Sequence, residues 1–152
     1  MPKSWKVPPA IKVLEALGAV ADGRIHRTGG GQASVVSSDG SRSYSVEWRA
    51  DSNTVSCNDN GSYWQGYLGY PAIAYLMEEG ELPLDRALAA ALAGIEWKKL
   101  NTKLKDYEAV LKHIAEAKAI DLSAANRFAE VVLDRIRARQ FLRPDKLPFP
   151  PK

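Results

Sequence analysis

Apolar and polar positions first alternate along this chain and later recur at helical spacing. Ile11, Leu14 and Leu17, with Val13 beside them, form a stripe that predicts a short helix from Pro9 to about Leu17, stopped at Gly18. Arg24–Arg27 and Ala33–Ser37 read as strands on either side of Gly29–Gly31, and Asp39-Gly40 as a turn. Tyr44, Val46 and Trp48 then alternate with Ser43, Ser45, Glu47 and Arg49, which places large apolar groups on one face of a strand. After an Asp51-Ser52-Asn53 turn, Thr54–Cys57 returns as a further strand.

Beyond residue 70 the period changes. Pro71 opens a helix to about Glu79, and Pro83-Leu84-Asp85 begins another through Ala93. Residues 95–118 carry one or two more helices, with Asn101-Thr102 as the candidate interruption. Asp121 or Ser123 caps a last helix built on Phe128, Val131, Val132 and Ile136. The expected fold is α+β, with a small antiparallel sheet of three or four strands packed against a C-terminal helical layer. Residues 1–143 would form one domain, and the proline-rich segment 144–152 an extended tail.

Composition narrows the class without naming it. The 152 residues are 45% hydrophobic and 26% charged, which suits a packed core and excludes a wholly disordered chain. The net charge of +3 permits an anionic partner without requiring one. Its distribution is uneven: residues 61–94 carry one basic and four acidic side chains, and residues 121–152 carry seven and four. The single cysteine, Cys57, precludes an intramolecular disulfide and fits a reducing, cytoplasmic setting. No secretory leader is legible, and no apolar run approaches the roughly 18 residues of a membrane helix, so no membrane partner is expected.

Candidate chemistry is sparse. Gly29–Gly31 lacks the Gly-Lys-Ser/Thr of a phosphate loop and reads as a hairpin. His26 and His113 stand alone. Asp39, Glu47, Asp51 and Asp59 fall in the strand region, and their convergence on a metal would make a small nuclease. Tyr63 and Trp64, followed by Tyr67 and Tyr70, offer surfaces on which bases or a peptide could stack. Arg127, Arg135 and Arg139 recur along the last helix, and Lys98 and Lys99 precede them on another; these five are candidate phosphate contacts.

Residues 42–80 resemble a SWIM-type zinc finger, a β-hairpin followed by a helix with a Cys-x-Cys, Cys-x-His ligand set. Tyr44-Ser45-Val46 is similar to the entry strand, Cys57-Asn58-Asp59 to the first cysteine pair, and Gly69-Tyr70-Pro71-Ala72-Ile73-Ala74 to the start of the helix. Cys57 then matches the first ligand, while Asp59, Tyr70 and Ala72 replace the other three. Ala72 has no donor atom, so the resemblance implies a module in which packing has replaced the metal, with no cofactor. It also implies association with DNA or protein. The resulting expectation is a noncatalytic nucleic-acid-associated or adaptor module with DNA or RNA as partner. A protein-assembly subunit or homo-oligomer is the alternative, and a metal-dependent nuclease the third reading.

Overall fold

The computed structural model describes residues 3–151. Its elements in chain order are β1 (Lys3–Ser4), α1 (Ile11–Ala21), β2 (Ile25–Gly29), β3 (Gln32–Val36), β4 (Ser43–Arg49), β5 (Thr54–Cys57), a π-helical turn (Gly61–Gln65), α2 (Tyr70–Glu78), α3 (Arg86–Ala91), α4 (Trp97–Leu104), α5 (Tyr107–Lys118), α6 (Leu122–Arg139) and β6 (Leu142–Arg143).

The alternating segments form the antiparallel meander β2-β3-β4-β5. Register puts Val35 opposite Tyr44, Ala33 opposite Val46, Val46 opposite Cys57 and Trp48 opposite Val55, so the apolar face is continuous across three strands. The sheet does not stop at four strands. β6 joins β5 in parallel, and β1 joins β6 antiparallel, giving six strands in the order β1-β6-β5-β4-β3-β2 and a mixed sheet. The two added strands are only two residues each. Such segments carry no period of their own and become strands only by pairing.

The helical cover is not purely C-terminal. α1 packs on α2, and α2 lies against the meander. α1 is buried from Ile11 to Ala19 apart from Lys12, and α2 from Pro71 to Met77. Helices apolar on all sides have neighbours on all sides; here α3 and α6 also pack on α1. α1 runs past Gly18, the expected stop; the glycine instead makes room for the Trp97 indole. A Cβ there would sit 2.7 Å from Trp97 Nε1. The break between α4 and α5 comes later than Asn101-Thr102, at Lys105 with φ of 54°, and Asp106 caps the next helix by accepting from the Glu108 N–H. Asp121 caps α6 by accepting from the N–H groups of Ser123 and Ala124.

The chain ends are fastened to the sheet. Trp5 is buried and donates its indole N–H to the Val55 carbonyl at 2.9 Å, while its backbone N–H bonds Phe141 O. The proline-rich tail is tied down where Leu147 packs against the core and where Asn58 Nδ2 donates to Phe149 O at 3.0 Å.

Candidate functional site

The segment 58–69 is built around a buried carboxylate. Asp59 Oδ1 accepts from the Ser62 hydroxyl at 2.6 Å and from the Cys57 thiol at 2.8 Å, and Asp59 Oδ2 accepts from the Ser62 N–H. Ser62 Oγ in turn accepts from the Gly69 N–H at 3.0 Å. Asp59 thus nucleates the π-helical turn from below, and Gly66, at φ of 78°, reverses the chain after it. Burial and the adjoining Asp59 charge push the Cys57 thiol well above its ordinary pKa, so it remains protonated and acts as a donor in the core.

The outer side of this turn presents rings. Trp64 is 68% exposed and meets Tyr63 edge-on, with ring centroids 4.6 Å apart. Phe149, 80% exposed, lies 5.8 Å from the Tyr63 ring, held there by the Asn58 bond. A large exposed indole has no packing reason, which distinguishes Trp64 from the buried Trp5 and Trp97.

Cations flank the same turn. Lys6 is hydrogen-bonded through its backbone to Gly66 O and the Leu68 N–H. Its side chain passes Gly66, as does the Arg143 guanidinium, whose Nη1 lies 3.6 Å from where a Gly66 Cβ would stand. Arg143 also caps the Trp5 ring at 5.4 Å and pairs in register with Lys3 across β1 and β6. Asp145 shares the crevice of Lys3 and Arg143 and offsets part of this charge. Sequence patterning pointed to Tyr63 and Trp64 but not to Lys3, Lys6 or Arg143. Their approach is made by strand pairing between distant parts of the chain.

The basic residues expected to form the phosphate surface differ in how far they are already engaged. Arg127 and Arg135 are exposed on α6. Arg139 is withdrawn from solvent duty: its Nη1 donates to Glu81 O at 3.0 Å, its Nη2 pairs with Glu81 Oε1 at 2.9 Å, and it stacks on Phe141 and Trp48. Lys98 donates to Ser41 Oγ and lies 3.6 Å from Asp39, and Lys99 pairs with Glu96. α4 and α6 each pack on α5, so these lysines and the α6 arginines stand on separate helices.

The carboxylates of the strand region are likewise occupied separately. Asp39 accepts from Ser37 and Ser41, and these bonds hold its carboxyl well below the usual range. Glu47 is engaged by Gln32 and Arg49. Among the described residues no three His, Cys, Asp or Glu side chains converge as a metal ion would need. Of the three positions of the zinc-finger pattern that carry donor atoms, Cys57 and Asp59 bond each other, and Tyr70 packs edge-on to Tyr44.

Residues 5–142 match the family model described as uncharacterised conserved protein UCP014422. The chain belongs to that family. The match includes Lys6, Tyr63 and Trp64, while Lys3, Arg143 and Phe149 lie outside it. No curated protein and no solved structure matches the chain.

Proposed function

We propose that this protein is a noncatalytic module that binds single-stranded nucleic acid. The observation that carries the reading is the exposed Trp64, backed by Tyr63 and Phe149, on a turn flanked by Lys6 and Arg143. A base stacks on the indole, and the cations take the adjoining phosphates. Stacking contributes about 1–3 kcal/mol per base, and each neutralised phosphate adds salt-dependent affinity without reading sequence.

Titration of a fluorescent oligothymidylate and a duplex of equal length, each at low and moderate salt, tests this. The single strand binds more tightly, and its affinity falls as salt rises. Trp64→Ala weakens binding about tenfold or more, and Arg143→Ala lowers the salt slope by about 0.7. Absence of binding at low salt overturns the reading. The same rings on a protein partner would make an anchor at an interface. In that case Trp64→Ala would change the sedimentation of the protein and leave oligonucleotide binding unaltered.

A further inference from the structure

The loop that carries Trp64 also walls a cavity of about 320 Å³, bounded by α1, α4 and the turn between β3 and β4. Its charges do not balance. Lys12 and Glu15 neutralise each other at 2.8 Å, and Asn101 donates to the second Glu15 oxygen. Burial works against the Lys12 ammonium, but the charge and hydrogen bond of Glu15 outweigh it and hold the lysine protonated. Asp59, the other carboxylate on the wall, is occupied by Cys57 and Ser62. Lys98 leans toward Asp39.

The wall carries four basic side chains, Lys12, Arg24, Arg42 and Lys98, against the carboxylates of Glu15 and Asp59, and two of the four are incompletely partnered. Arg24 is buried; Nη1 donates to Val36 O at 2.8 Å, but Nε and Nη2, the two nitrogens of its side-on fork, have no hydrogen-bond acceptor. Asp22 pairs with it only loosely, its Oδ2 standing 3.5 Å from Nε while its Oδ1 accepts from the Gly94 N–H. Arg42 is half-buried at the cavity rim and has no ion pair among the described residues. A buried, under-paired arginine is costly unless something brings it an acceptor. The remaining walls include the Tyr44, Tyr67 and Tyr70 rings. Burial lifts the Tyr67 hydroxyl to about 12 and raises Tyr70 as well, so both are neutral donors at physiological pH.

We propose that the cavity binds a small organic anion. Its carboxylate or phosphate group is taken by Arg42 at the rim, over the positive floor made by Arg24, and its body rests among the tyrosine rings. The volume suits a molecule of metabolite size, and a low-dielectric wall focuses the arginine field into it. Trp64 itself does not line the cavity, and the proposal does not depend on nucleic-acid binding.

The test uses the full chain with benzoate, inorganic phosphate and neutral benzamide, read by thermal melting and by the Trp97 indole resonance in a proton–nitrogen correlation spectrum. Benzoate or phosphate, but not benzamide, raises the melting midpoint and moves that resonance, which separates a carboxylate ligand from a phosphate one. Arg42→Gln weakens the effect about tenfold or more, the loss of one charge-assisted hydrogen bond. Trp64→Ala leaves it unchanged. The proposal is overturned if neither anion acts, if benzamide acts equally, if Arg42→Gln binds like the wild type, or if Trp64→Ala abolishes the response.

Discussion

Gly69 adopts φ of −78°, a value open to every residue, yet the position tolerates no side chain. A Cβ there would run into the Asp59 carboxylate, which is itself fixed by Cys57 and Ser62 and has nowhere to retreat. Gly69→Ala therefore forces apart the hydrogen bonds that shape the aromatic turn. The expected cost is about 1–3 kcal/mol, measured as a lower urea midpoint at unchanged slope. A midpoint equal to that of the wild type would mean that the carboxylate moves freely and does not define the turn.

At the scale of elements, Asn53 joins parts that sequence keeps far apart. It sits at φ of 55° in the turn between β4 and β5. Its Nδ2 donates to the carbonyls of Arg139 and Gln140 at the end of α6, and its own carbonyl accepts from the Leu142 N–H at 2.8 Å. Asn53→Ala loses the side-chain bonds and strains the left-handed backbone, costing about 1–3 kcal/mol. Asn53→Gly relieves the strain alone and melts between alanine and wild type. Asp51-Ser52-Asn53 was legible as a turn from composition, as the meander was from alternation. Nothing local announced that this turn also receives α6, because that contact depends on where an 18-residue helix ends. The same reason hid β1 and β6. It also made Arg139 look solvated from helical spacing, although Glu81 lies in reach only after the chain has folded. Of the aromatic turn, Tyr63 and Trp64 were legible as a cluster of rings, while the neighbouring Lys6 and Arg143 were brought there by strand pairing.

For the molecule as a whole, four tryptophans divide between two duties. Trp5 fastens the leading segment to β5 through Val55 and is 5% exposed; Trp64 stands in solvent at 68%. Replacing Trp5 with alanine removes a buried ring and its hydrogen bond and costs about 3–5 kcal/mol. Replacing Trp64 with alanine changes stability by no more than about 0.5 kcal/mol. Thermal melts of the two variants side by side check this, and equal losses would show that Trp64 is a packing residue.

The pairing of β1 with β6 has a further consequence for biogenesis. On the ribosome, Lys3 and Ser4 emerge well before Leu142 and Arg143 and wait for them before they can enter the sheet. Until then β5 presents a bare rim of amides and carbonyls, and the seat of Phe141 stays vacant. The nascent polypeptide therefore carries an adhesive border from the completion of β5 until β6 emerges, which is where a chaperone would hold it.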